Sequence, residues 1–358
     1  MEMINHQFWA GKRVFITGHT GFKGGWLTLW LQSMGAKVTG FSLPAPTNPN
    51  FFDVVNLQDI CDHQIGDIRD YSSFKKAIDK SRPEILFHMA AQSIVRRSYQ
   101  DPIETYGTNV MGTVHLLEAL RTCSSIKSCI IVTTDKCYEN KEWSRGYREN
   151  DQLGGHDPYS SSKACTELVT SAFMRSFFND QKEMGLATVR AGNVIGGGDF
   201  AEDRIIPDIY RSIVSGQELI IRQPESIRPW QHVLAPLSGY IRLSEMLFND
   251  PKTYSTAFNF GPQESDCISV GDLIEKMSKY WGVTLPVKVQ KESSLHEAKF
   301  LKLDTSKATT VLGWRPIWSI EKTLEETVRW YKNHLSNSPN RSCSLAQIHD
   351  FEKSLNSI

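Results

Sequence analysis

Short apolar runs alternate with longer amphipathic stretches through the first half of the chain. Val14-Phe15-Ile16, Lys37-Val38-Thr39-Gly40-Phe41, Ile85-Leu86-Phe87-His88, Cys129-Ile130-Ile131-Val132 and Ala187-Thr188-Val189 read as strands. They lack polar alternation, so both of their faces are expected to be covered. The stretch with Leu27, Trp30, Leu31 and Met34 puts its apolar residues on one helical face, and residues 108–120 and 161–178 are further helical segments. Strand–helix alternation of this kind predicts an α/β protein with a doubly wound parallel sheet.

The pattern changes after about residue 190, where glycine, proline and charge gather in Gly196-Gly197-Gly198-Asp199 and Arg228-Pro229-Trp230. We expect a dinucleotide-binding domain over residues 1–190 with a return segment near 231–260. A smaller mixed α/β lobe over 191–230 and 261–335 would close on the carboxyl edge of the sheet. The polar tail 336–358 reads as loosely ordered.

Composition narrows the class. With 40% hydrophobic and 22% charged residues the chain is an ordinary globular protein. Lys plus Arg (40) equals Asp plus Glu (40), which argues against a nucleic-acid or membrane-surface partner. No apolar stretch is long enough to span a bilayer. The first residues lack the pattern of a secretory signal, so a cytoplasmic location is expected. The seven cysteines are scattered and form no Cys-x-x-Cys pair, which predicts buried thiols and no metal site.

Two motifs carry chemistry. Gly18, Gly21 and Gly24, in Thr17-Gly18-His19-Thr20-Gly21-Phe22-Lys23-Gly24, follow the first strand and open a helix. Glycines there allow a tight turn whose amides approach a pyrophosphate at a helix amino terminus. His19 and Phe22 belong to the same turn. An acid usually ends the second strand of an NAD site, but here that place reads Gly40-Phe41-Ser42-Leu43-Pro44. Ser42 offers one weaker hydrogen bond, and no Arg or Lys stands there to favour a 2′-phosphate, so NAD is the expected cofactor. Asp67 either accepts from the adenine amino group or caps the helix at Tyr71-Ser72-Ser73-Phe74.

The second motif is Tyr159-Ser160-Ser161-Ser162-Lys163. Tyrosine and lysine four apart share a helical face, and the cation is expected to lower the phenol's pKa for proton abstraction from an alcohol. The strand at Ile130-Ile131-Val132 runs into Thr133-Thr134-Asp135-Lys136, at the carboxyl end where open α/β sheets hold ligands. Thr134 would hydrogen-bond a substrate hydroxyl. Asp135 and Lys136 are an acid and a base beyond what hydride transfer needs, which suggests a second chemical step.

Together with His88-Met89-Ala90-Ala91-Gln92, Thr108 to Thr113, Leu312-Gly313-Trp314-Arg315-Pro316 and Gly192-Asn193-Val194-Ile195-Gly196-Gly197-Gly198-Asp199, these residues resemble the extended short-chain dehydrogenase/reductases of nucleotide sugars, over about residues 8–335. Thr134-Asp135-Lys136 resembles the 4,6-dehydratases, and within them the CDP-glucose subgroup. The resemblance implies a Rossmann fold, bound NAD, and conversion of CDP-glucose or a related nucleotide sugar to a 4-keto-6-deoxy sugar, a precursor for surface polysaccharide. It implies that Tyr159 takes the carbon 4 hydroxyl proton, Asp135 protonates the departing hydroxyl, and Lys136 takes the carbon 5 proton. It also implies cofactor contacts at Ile68, Ala90, Ala91 and Lys163, and substrate contacts at Gln92, Ser93, Asn193, Arg204 and Arg228. A homodimer, or a dimer of dimers, would pair the helices over 108–120 and 161–178, although these could equally pack inside one subunit. The rival reading is a nucleotide-sugar 4-epimerase, which does not need the Asp135–Lys136 pair.

Overall fold

The computed structural model describes residues 3–178, 184–290 and 300–357. The early apolar runs form β1 (Arg13–Thr17), β2 (Lys37–Ser42), β3 (Asp62–Ile65), β4 (Ile85–His88), β5 (Ser128–Val132) and β6 (Gly185–Arg190). Beyond them lie the short strands β7 (Val194–Ile195), β8 (Leu219–Ile221), β9 (Ile227–Pro229), β10 (Gln231–His232), β11 (Phe258–Asn259), β12 (Cys267–Ser269) and β13 (Val287–Val289). Among the described residues, seven strands make one parallel sheet in the order β3-β2-β1-β4-β5-β6-β11. Every residue of β4, β5 and β6 is buried, as expected of strands covered on both faces. The strand order reverses between β1 and β4, the kind of switch point at which open α/β sheets hold ligands beyond the strands' carboxyl ends.

The principal helices are α1 (Phe22–Ser33), α2 (Tyr71–Ser81), α3 (Gly112–Leu120), α4 (Pro158–Phe173), α5 (Ile205–Ser215), α6 (Leu234–Asn249), α7 (Val270–Trp281), α8 (Ile320–Leu335) and α9 (Asn340–Asn356). α4 starts before the expected residue 161 because Asp157 caps it, accepting from the Ser160 amide at 2.9 Å, and Pro158 fits its first position. α3 continues a helical run that begins at Pro102–Tyr106 and passes through a π-helical turn at Gly107–Met111. α6 packs beside β5 and β6, and β11 extends the sheet next to β6. The smaller lobe holds the pairs β7–β10, β9–β12 and β8–β13 with α5, α7 and α8, and one apolar core runs through both parts. Residues 291–299 of the expected small lobe lie outside the described residues.

Two expectations need correction. The tail forms α9 and packs: Ile348, Phe351 and Leu355 are buried. Phe351 meets Trp30 edge-on at 5.9 Å and Trp318 at 5.1 Å, and the Trp30 indole donates to Glu352 Oε1 at 2.7 Å. The other correction follows from the first. α1 does not have a single buried face, because Trp26 through Leu31 are all buried. The sheet takes one side of it, while α9 and the Phe51 ring, stacked on Trp26, cover others. Of the cysteines, all unpaired, only Cys129 and Cys137 are fully buried.

Candidate active site

The glycine turn fits a dinucleotide. Gly18 has φ +77°, and a Cβ there would sit 2.7 Å from the Ala90 amide nitrogen, so the turns after β1 and β4 touch through bare backbone. A Cβ at Gly24 would collide with the Gly18 carbonyl. The Thr17 hydroxyl ties the turns together, accepting from the Met89 and Ala90 amides at 3.0 and 3.1 Å. Gly21 caps α1 without a side chain, which leaves the helix's first amides facing the crevice with their partial positive charge. The Phe22 ring reaches toward Gly196, while Ala91 follows Ala90 in the loop after β4.

At the adenosine side the Ser42 hydroxyl is engaged with Thr20 Oγ1 at 2.6 Å. His19 is fully buried, and its ring fills the space a side chain at Gly40 would need. Its Nε2 lies 2.6 Å from His63 Nδ1, and burial followed by the His63 charge pushes its pKa down to about 3, so it is neutral. His63 escaped the sequence reading because it lies on the next strand, away from any motif. Asp67 is held by the Arg69 guanidinium at 2.6–3.1 Å, while Asp70 caps α2 instead. The Ile68 side chain packs into the core under Gly112, leaving only its backbone near the crevice, and its carbonyl accepts from His115.

The catalytic candidates converge. Tyr159, on the first turn of α4, shares a hydrogen bond with Thr134, whose hydroxyl donates to Asp135 Oδ1 at 2.9 Å. The second oxygen of the buried Asp135 carboxylate has no partner among the described residues. It lies against Gly192, where any Cβ would collide with it. The Lys163 ammonium donates to the Val132 carbonyl at 3.0 Å, and burial lowers its pKa to about 8. Lys136 is half-buried beside them, and its side chain makes no hydrogen bond or ion pair among the described residues.

One electrostatic expectation is reversed. Burial pushes the Tyr159 phenol up to about 12, aided by Asp135 and opposed by the Thr134 hydrogen bond and Arg204. Loss of water around the buried phenolate outweighs the Thr134 hydrogen bond and the Arg204 charge that favour it. Beneath these groups lies a buried layer that local sequence spacing did not reveal. Glu167, one turn beyond Lys163, accepts from Arg190 Nε and Nη2 at 2.9 Å, from Thr133 at 2.6 Å and from Thr188 at 2.7 Å. It fastens α4 to the ends of β5 and β6.

From the small lobe, Arg204 reaches the same cleft. It donates to Asp199 Oδ2 at 2.9 Å and to Ser93 Oγ at 3.2 Å, and its charge acts on the Tyr159 phenol. Asn193 follows β6 with φ +49°, its carbonyl accepting from the Gln231 amide. Arg228 is buried on β9, away from Arg204 in the chain, and donates to the Ile227 carbonyl. The Gln92 side chain is spent inside its loop, on Thr105 and on the Ile94 amide. No group of His, Cys, Asp and Glu among the described residues could hold a metal.

Comparison with known proteins identifies the family. A family model described as GDP-mannose 4,6 dehydratase matches residues 15–327. The chain is 53% identical over 353 residues to the CDP-glucose 4,6-dehydratase of Salmonella typhimurium, covering 98% of both chains. It is 26% identical to a dTDP-glucose 4,6-dehydratase of Xanthomonas campestris pv. campestris, covering 88% of this chain and 92% of that one. In fold it resembles the dTDP-glucose 4,6-dehydratase of Bacillus anthracis solved with NAD, with TM-score 0.76 and 22% identity over 92% of this chain and all (100%) of that one. The chain belongs to the GDP-mannose 4,6-dehydratase family, among the nucleotide-sugar enzymes of the extended short-chain dehydrogenase/reductases.

Proposed function

We propose that the protein is an NAD-dependent hydro-lyase that converts CDP-glucose to CDP-4-keto-6-deoxyglucose. The observation that carries this is the cluster of Tyr159, Thr134 and Asp135, in which the phenol and the Thr134 hydroxyl adjoin a carboxylate oxygen without a partner among the described residues, with Lys136 adjacent. Near-full-length identity of 53% to a CDP-glucose 4,6-dehydratase supports CDP over other nucleotides.

NAD held at the glycine turn supplies the hydride acceptor for sugar carbon 4 and the donor for carbon 6. Tyr159 takes the carbon 4 hydroxyl proton as the phenolate, the form that the positive charge of the oxidised nicotinamide would favour against burial, and Thr134 orients that hydroxyl. The carbon 4 ketone acidifies the carbon 5 proton, which Lys136 takes in its amine form. Asp135, in its protonated form, gives its proton to the carbon 6 hydroxyl, which leaves as water, and as hydride returns to carbon 6 the Lys136 ammonium gives its proton back to carbon 5. Lys163 positions the reacting half of the cofactor. Arg204, Arg228 and Asn193 meet the diphosphate, where a guanidinium fork matches two oxygens. The product would feed a deoxysugar into surface polysaccharide.

The test is incubation with CDP-glucose, dTDP-glucose, UDP-glucose and GDP-mannose in turn. The expected result is loss of one water from CDP-glucose at the highest kcat/KM. Unchanged mass with inverted carbon 4 would identify a 4-epimerase instead, and preference for another nucleotide would reject the CDP assignment.

A further inference from the structure

Lys23 is the charged side chain of the glycine turn, at the second position of α1, where the neighbouring residues act through their backbone. Its half-buried side chain makes no hydrogen bond or ion pair among the described residues. Its ammonium lies 5.8 Å over the Tyr240 ring on α6. The Tyr240 hydroxyl is fully buried and also has no partner among the described residues. Around this ammonium stand Lys163 on α4, Arg204 before α5 and Asp135 after β5. Three cations thus share a cleft with two carboxylates, Asp135 and Asp199. Arg204 is paired with Asp199, and Lys163 rests on a carbonyl, which leaves Lys23 with the pull of Asp135 but no hydrogen-bonded or ion-paired partner among the described residues. Burial, then the charges of Arg204 and Lys163, lower its pKa to about 7 against the pull of Asp135. An anion between the glycine turn and Tyr159 would relieve that crowding.

We infer that Lys23 is a cofactor-binding residue whose ammonium grips the dinucleotide pyrophosphate, the anion that bridges the glycine turn to the reacting half of the site. A phosphate there meets the amides of the α1 amino terminus and a side-chain cation at once. Of the residues assigned to the substrate's diphosphate only Arg204 neighbours Lys23, while Asn193 and Arg228 stand beyond β6; Lys23 itself projects from the cofactor turn, so the substrate's diphosphate is the less fitting anion. The inference rests on the cofactor half of the proposed function and is independent of which sugar nucleotide is used.

The test is calorimetric titration of ADP-ribose, AMP and CDP into the unmodified protein, Lys23→Met and Lys23→Arg. ADP-ribose carries the pyrophosphate without the nicotinamide. Lys23→Met should weaken ADP-ribose about tenfold or more, as expected for one charge-assisted bond. Lys23→Arg should restore most of that affinity, and AMP and CDP should bind all three proteins alike. In the unmodified protein, ADP-ribose should shield Lys23 from an amine-acylating reagent, read by mass spectrometry, which needs no variant to fold. Unchanged ADP-ribose affinity in Lys23→Met, weakened CDP binding, or acylation unaffected by ADP-ribose would each overturn the assignment. Failure of CDP-glucose turnover in the unmodified protein would reject the sugar assignment and leave this one standing.

Discussion

In the proposed reaction Asp135 and Lys136 separate an elimination from a simple oxidation, and their roles divide in time. Thr134 and Tyr159 suffice to oxidise carbon 4, so Asp135→Asn and Lys136→Met should still develop the absorbance of reduced nicotinamide on mixing with CDP-glucose. They should release product about a hundred- to ten-thousand-fold more slowly, the usual contribution of a general acid or base. Tyr159→Phe should develop no such absorbance. Rapid-mixing spectroscopy distinguishes these outcomes, and a block in Asp135→Asn as early as in Tyr159→Phe would show that the carboxylate serves the oxidation. At this scale the sequence was informative where placement followed from spacing, as with Tyr159 and Lys163 on one helix or the three glycines of one turn. It was silent where partners came from distant strands. The free oxygen of Asp135 depends on Gly192, and the neutral His19 on its burial, aided by His63. The raised phenol pKa was missed because residue spacing reports a neighbouring charge but not the loss of water.

Helix α4 carries Tyr159 and Lys163, two of the proposed catalytic side chains, and its seat is the buried Glu167–Arg190 pair, whose side chains are 4% and 3% exposed. Removing one partner of such a pair strands the other charge, so Glu167→Gln should cost roughly 3–5 kcal/mol in urea unfolding. Arg190 and its hydrogen bonds hold the Glu167 carboxyl below the ordinary glutamate range despite burial. Its stabilisation is therefore complete above that ordinary range. It is lost as pH falls through the ordinary value toward the lower folded-state one. The unmodified protein should weaken in acid more steeply than Glu167→Gln, and parallel acid profiles would contradict this role. The strands and the long helices were legible because apolar periodicity is a local signal. α9 was not, since its narrow stripe of Leu345, Ile348, Phe351 and Leu355 is diluted by polar neighbours and has meaning only against Trp30 and Trp318.

On the whole-molecule scale, the parallel sheet and the switch between β1 and β4 bring the cofactor turn, the end of β5 and the small lobe to one crevice. The helical run from Pro102 to Leu120 and α4 leave Ile103 85%, Met111 48% and Leu168 57% exposed, an apolar surface that we propose pairs two subunits. Sedimentation should give a dimer that Ile103→Glu with Leu168→Glu converts to monomer, and a monomeric unmodified protein would refute the pairing. The central claim is that one hydride leaves sugar carbon 4 and returns to carbon 6 of the same nucleotide sugar. CDP-glucose deuterated at carbon 4 tests it most directly. The account predicts a 4-keto-6-deoxy product, lighter by one water, with the deuterium in its carbon 6 methyl group. Deuterium retained at carbon 4 of an epimerised sugar, or lost to solvent, would contradict it.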